Sequence, residues 1–284
     1  MNKIIVITGA TDGIGRVTSV EIAKKGYDLV LLGRNSKKLE SLKSELEKLT
    51  TVHTFVADLS LVNETIEVSK KIQNTFPKID VLLNNAGAYF ADYTLTKDGL
   101  ESTFALNHLN YMVMANNLLP SLKNADRARI VNVASRAHMG VSLDFENLQG
   151  DKDYSGWKQY QKSKLMNIYF TYDFAEKLKN TNITVNCLHP GFVKTKFGHN
   201  NQGIAKTVIQ LAQNLIAISE NKGAETSIFL TTDDSVGSVT GKYFVKKKEA
   251  RSSDVSYSTD SKNKLIQISE RILKDKFSFS LAKV

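Results

Sequence analysis

Seven residues into the chain, the apolar run Ile4–Ile7 breaks into Thr8-Gly9-Ala10-Thr11-Asp12-Gly13-Ile14-Gly15. A buried strand that turns through three glycines into a helix brings backbone against a pyrophosphate. The glycines remove the Cβ atoms that would hold an anion away. The helix expected over roughly 13–25 offers unpaired N–H groups and the positive end of its dipole. Gly9, Thr11, Asp12, Gly13, Ile14 and Gly15 are therefore read as a dinucleotide-binding loop.

The rest of the chain repeats the strand–helix alternation. Apolar runs of strand length follow at Leu29–Leu32, Val52–Val56, Val81–Leu83, Ile130–Val133, Ile183–Leu188 and Tyr243–Val245. Several are rich in β-branched residues, as strands covered on both faces should be. Between them, Leu39, Leu42, Leu46 and Leu49 recur on one helical face. Ile66, Val68, Ile72 and Phe76 read likewise, as do Phe170, Phe174 and Leu178. The pattern predicts an α/β fold: one Rossmann-type, doubly wound parallel sheet of about seven strands with helices on both faces. Ligands of such sheets bind at the carboxyl ends of the strands.

Of 284 residues, 42% are hydrophobic and only 3 are proline, so one large core is expected, spanning 1–245, with a basic extension over 246–284. The single cysteine, Cys187, lies in an apolar strand and excludes an intrachain disulfide. No run of about 20 apolar residues and no signal-peptide pattern is present, so a cytoplasmic location is expected. The net charge is +9, and residues 242–284 carry 11 Lys or Arg against 5 Asp or Glu. No nucleic-acid motif accompanies that charge; solvated faces and a phosphate-bearing cofactor explain it more simply.

Tyr160 and Lys164 are four apart, so on a helix they share a face. A free phenol titrates near pH 10, and a lysine cation one turn away would lower that value towards useful proton exchange. The plain alternative is a surface pair at a common spacing. Ser135 follows the strand Ile130–Val133 and can aim its hydroxyl at developing negative charge, or be an ordinary turn residue. Asp58 and Leu59 follow the third strand; Asp58 can accept from an adenine amine, cap the next helix, or do both. His138 and His189 show no metal-ligand spacing, and no metal is expected.

Taken in order, the glycine loop, Asn84-Asn85-Ala86-Gly87, Asn107, Ser135, Tyr160-Gln161-Lys162-Ser163-Lys164 and Pro190-Gly191 resemble the short-chain dehydrogenase/reductase family from residue 3 to about 245. The 25-residue spacing from Ser135 to Tyr160, the run Ser135-Arg136-Ala137-His138 and the insertion Asp144-Phe145-Glu146-Asn147-Leu148 resemble the branch of retinol dehydrogenases and the WW-domain oxidoreductase. The resemblance implies hydride transfer between nicotinamide and a carbonyl or alcohol. It implies Tyr160 as general acid/base, Lys164 also on the nicotinamide ribose, Ser135 on the substrate oxygen and Asn107 holding a relay water. Asn107 falls in a helix expected from about Gly99 to Leu119, and a solvent-facing position on it is the alternative. It also implies Asn85, Ala86 and Gly87 beside the adenine ribose, and Pro190, Gly191, Val193 and Thr195 at the carboxamide end.

Cofactor choice turns on the end of the second strand. NAD enzymes place a carboxylate there, about 20 residues after the glycines. Here the strand ends in Gly33-Arg34-Asn35, and Arg34 can fork onto a 2′-phosphate, with Asn35 also expected at the cofactor, so NADP(H) is expected. Asp12 argues slightly against it. Met139, Tyr154, Trp157, Phe192 and Phe197 are candidates for an apolar pocket mouth or for plain core. The expected enzyme is a carbonyl reductase or alcohol dehydrogenase acting on a small lipid-like, retinoid-like or steroid-like substrate. The alternative is a catalytically silent dinucleotide-binding scaffold or sensor. Leu265, Ile268, Ile272 and Leu273 line one face of a basic helix over 262–276, followed by Phe277-Ser278-Phe279. That face either packs on the enzyme or a second subunit, the preferred reading, or rests weakly on an anionic membrane.

Overall fold

The computed structural model describes residues 2–191 and 219–282. One sheet of eight strands organises the molecule, in the order β3-β2-β1-β4-β5-β6-β7-β8. The strands are β1 (Ile4–Thr8), β2 (Asp28–Gly33), β3 (Val52–Val56), β4 (Val81–Asn84), β5 (Ala128–Val133), β6 (Ile183–His189), β7 (Tyr243–Val245) and β8 (Lys248–Ala250). The first seven are parallel to their neighbours, and β8 runs antiparallel to β7. Strand order reverses between β1 and β4, opening the crevice in which doubly wound sheets take ligands.

Alternate residues of each strand feed opposite faces. Val6, Val30, Leu82, Ile130 and Val185 join one apolar cluster, with α3 (Val62–Thr75), α5 (Asn110–Lys123) and α6 (Gly156–Lys177). Ile5, Ile7, Leu29, Leu31 and Val131 join the other, with α1 (Gly13–Lys24), α2 (Ser36–Leu46) and α7 (Glu220–Thr232). The last helix, α8 (Thr259–Phe277), buries Leu265, Ile266 and Leu273 in the first cluster. Ile268 and Ile272 pack against the same cluster, and Phe279 is 6% exposed. The aromatic tail is turned inward, as the packing alternative requires: Ser278 takes a left-handed conformation (φ 50°), and Phe279 N–H bonds back to the Leu273 carbonyl.

Three local expectations shift. The eighth strand was not expected, because its turn is Lys246-Lys247, both at positive φ (50° and 64°), where asparagine and glycine are the usual signals. Leu49 is half-exposed rather than on the apolar face of α2, because that helix ends at Leu46 and Leu49 N–H turns back to the Leu46 carbonyl. The helix expected from Gly99 starts later. Gly99 sits in a turn at positive φ, and α4 (Ser102–Phe104), capped by Glu101, leads into a π-helical turn, Ala105–Leu109, and then α5.

Candidate active site

The glycine loop packs hard against the end of β4. A Cβ on Gly15 would run into the Gly9 carbonyl and stand 2.5 Å from Asn85 Nδ2. Gly9 itself is at φ +65° with Ala86 Cα 2.9 Å from where its Cβ would be. The Asn85 side chain donates to the carbonyls of Thr8 (2.9 Å) and Gly9 (3.2 Å), and Thr8 Oγ1 accepts from the backbone of Asn85 and Ala86. Asn85 therefore shapes the loop from behind.

In front of it lies a cleft of about 400 Å³. Of the expected cofactor residues, Gly9, Thr11, Asp12, Gly13, Ile14, Gly15, Arg34, Asp58, Leu59, Asn85, Ala86, Gly87, Tyr160, Lys164 and Pro190 line it. Asn35 does not: its side chain caps α2 by accepting from Lys38 N–H (3.0 Å). Gly191, at φ +100°, bonds to His189 Nδ1 (3.4 Å) beside the cleft. Phe192, Val193, Thr195 and Phe197 lie outside the described residues.

The cleft fits a dinucleotide. Helices α2, α6, α7 and α8 each receive a side-chain cap, from Asn35, Ser155, Ser219 and Ser258. Helix α1, which opens onto the cleft, has no side-chain cap and no acidic residue in its first turn. Its leading N–H groups and positive dipole end face a site sized for a pyrophosphate. Asp12 is drawn aside: Lys38 Nζ lies 2.6 Å from its carboxylate. Lys38 lines the cleft and was missed at the sequence level, since nothing in a lysine-rich helix start signals a partner 26 residues earlier. Asp58 accepts from the backbone and hydroxyl of Ser60 (3.0 and 2.7 Å) while lining the cleft. The cap of α3 comes instead from Asp98, at 2.6 Å from Val62 N.

At the other end of the cleft, α6 carries Tyr160 and Lys164. The Ser135 hydroxyl stands close enough to the Tyr160 phenol to favour its ionised form. Lys164 Nζ stands 5.6 Å from the Tyr160 ring centroid and donates to the Val133 carbonyl (3.1 Å). A Cβ on Gly87 would lie 3.1 Å from Asn107 Oδ1 and 3.4 Å from Lys164 Nζ, so bare backbone meets both groups. Asn107 is fully buried rather than solvent-facing. It accepts from Ala88 N–H (2.9 Å) and donates to the Ala88 carbonyl (3.0 Å) and to Ser163 Oγ (3.0 Å). It sits in the π-helical turn, a local geometry common at functional sites.

Burial sets the electrostatics. It pushes the Tyr160 phenol up to about 12, against the opposing hydrogen bond from Ser135. It pushes the Lys164 ammonium down to about 7. The expected lowering of the phenol by Lys164 is not found: loss of water dominates at both groups, and the opposing pull on the phenol comes from Ser135. His189, pushed down to about 4 by burial, accepts from the N–H of Arg136 (3.1 Å), tying the loops after β5 and β6 together. His138 Nδ1 lies 2.6 Å from the Ser135 carbonyl, and its Nε2 accepts from Ser253 N–H (3.0 Å). Among the described residues no cluster of His, Cys, Asp or Glu could hold a metal ion.

The aromatic candidates divide. Trp157, half-exposed, stacks on Tyr160 at 5.8 Å and 26°, and Tyr89 meets the same ring edge-on at 6.3 Å. Met139 is exposed just beyond the Ser135 turn. Tyr154 is a brace instead of an open wall: its one hydroxyl proton is shared between the Phe90 carbonyl (3.1 Å) and Glu101 (3.2 Å).

Residues 3–204 match the short chain dehydrogenase family. Mouse retinol dehydrogenase 14 is 34% identical over 262 residues, covering 87% of this chain and 78% of that protein. Mouse retinol dehydrogenase 12 is 34% identical over 248 residues, covering 85% and 77%. Among solved structures, an uncharacterised protein of Mycobacterium paratuberculosis superposes with a TM-score of 0.77 at 25% identity, over 96% of this chain and 93% of that one.

Proposed function

This chain belongs to the short-chain dehydrogenase family, oxidoreductases acting on CH–OH and C=O groups with a nicotinamide dinucleotide, and from that premise we propose an NADP(H)-dependent reductase of apolar carbonyl compounds. The observation that carries the proposal is the meeting of Tyr160, Ser135 and Lys164 at one end of a cleft whose other end holds Arg34. When bound, the dinucleotide supplies or takes the hydride. The Tyr160 hydroxyl, neutral throughout the physiological range, donates its proton to the substrate oxygen as that oxygen gains negative charge. Ser135 donates a second hydrogen bond to the same oxygen and holds it still. Lys164, which donates to the Val133 carbonyl, would hold the nicotinamide ribose, and Asn107 fixes the turn beside it.

Arg34 and Lys38 support the NADP(H) preference. Arg34 is exposed at the cleft edge, and Lys38 offsets the charge of Asp12. The relatives named as retinol dehydrogenases, together with the exposed side chains of Trp157 and Met139, favour a retinoid-like or lipid-like substrate. A panel of apolar aldehydes, offered with NADPH and NADH side by side, tests this. The expected result is faster consumption of NADPH with long apolar aldehydes; preference for NADH in steady state would overturn the cofactor assignment.

A further inference from the structure

We propose that Glu101 is the positioning residue of the site, acting through Gln159 and Tyr154 to seat the Tyr160 turn of α6. The inference rests on the reductase reading for its kinetic arm and on geometry for the rest. Glu101 is a fully buried carboxylate with both oxygens engaged. Oε1 accepts from Thr103 N–H (2.8 Å) and the Tyr154 hydroxyl (3.2 Å). Oε2 accepts from Phe104 N–H (2.8 Å) and Gln159 Nε2 (3.0 Å). Its two backbone partners begin the helix that becomes the Asn107 turn. Its two side-chain partners bracket the start of α6, and Gln159 directly precedes Tyr160.

A helix cap needs only the two backbone donors. The further pair makes Glu101 a clasp between the segment bearing Asn107 and the segment bearing Tyr160. The surroundings leave this clasp little slack. A Cβ on Gly156 would strike the Phe90 carbonyl, so α6 begins in direct contact with the loop that Asn107 holds at Ala88. Gln159 is 2% exposed and also donates to the Leu148 carbonyl (2.8 Å), within the long segment between Ser135 and Tyr160. Loosening the clasp frees the first turn of α6, and misplacing a proton donor by about 1 Å lowers turnover about a hundredfold.

Gln159→Met separates the two roles, because it cuts the link to α6 while leaving the cap on Thr103 and Phe104 in place. Glu101→Gln and Tyr154→Phe complete the series. The single tryptophan, Trp157, lies in the same turn and stacks on Tyr160, so its emission and its quenching by iodide read that turn without any turnover. For Gln159→Met the expected outcome is a fall in kcat of about tenfold to a hundredfold. NADPH affinity should stay within about twofold, with a shifted pH profile and more accessible Trp157 emission. Unchanged kcat, pH profile and emission in a folded Gln159→Met protein would overturn the proposal and leave Glu101 as a helix cap. Should the wild-type protein consume no NADPH with any aldehyde, the reductase reading falls, and unchanged Trp157 emission and iodide quenching still decide against the clasp.

Discussion

Tyr160 and Lys164 were legible as neighbours on one helical face from their four-residue interval, and as a working pair only beside the other motifs. Their titration was not legible, since it depends on how much water each loses. With its folded value lowered to about 7 from 10.5, Lys164 binds fewer protons folded than unfolded between those limits. Its contribution therefore raises stability as pH rises through that window and opposes folding fully below it. Lys164→Met removes this burden. In urea unfolding, its stability relative to wild type is expected to be greatest at and below pH 7 and to shrink towards pH 10, while turnover and NADPH affinity are lost. A difference independent of pH would contradict the buried-ammonium account. Arg34 was legible because the strand end lacked a carboxylate, whereas its neighbour Lys38 emerged only from the ion pair with Asp12. Arg34→Leu is expected to weaken NADPH binding by about 1.5–3 kcal/mol, the range for a charge-assisted hydrogen bond, and to leave NADH nearly unchanged in titration.

Elements were readable where a period or a glycine imposed them. Seven parallel strands followed from apolar runs, and β8 escaped because Lys-Lys in its turn and Lys-Glu-Ala in the strand carry neither signal. The π-helical turn escaped as well, since one extra residue in a helix leaves no mark on a short apolar pattern. The glycine loop is the opposite case: its sequence fits a geometry with no room for a side chain. Gly15→Ala drives a Cβ into the Gly9 carbonyl and should destabilise the fold by about 1–3 kcal/mol, the usual scale of overpacking. It should also weaken both NADPH and NADH, because it displaces the uncapped end of α1. Dinucleotide titration alongside urea unfolding checks both effects; intact binding would show that the loop tolerates the shift.

At the scale of the whole molecule, the C-terminal helix belongs to the core. Leu265, Ile266 and Leu273 are buried with α3, α5 and α6, Lys262 pairs with Glu176 at 2.6 Å, and the tail is tied by Ala282 N–H to Asn116 (3.0 Å). Among the described residues no helix is long and apolar enough to cross a membrane. Leu273→Ala should lower stability by about 2–5 kcal/mol in urea unfolding. Flotation with anionic vesicles at about 0.15 M salt should leave the intact protein behind, because the apolar face is already covered. The basic composition suggested two roles for this segment, and only packing against the body could separate them. The central claim, that Tyr160 is the proton donor of a dinucleotide-dependent reductase, is tested most directly by Tyr160→Phe. With NADPH and a long apolar aldehyde, loss of reduced-cofactor absorbance should slow by about a hundredfold or more while NADPH affinity is kept. Near-normal turnover in that variant would contradict the account.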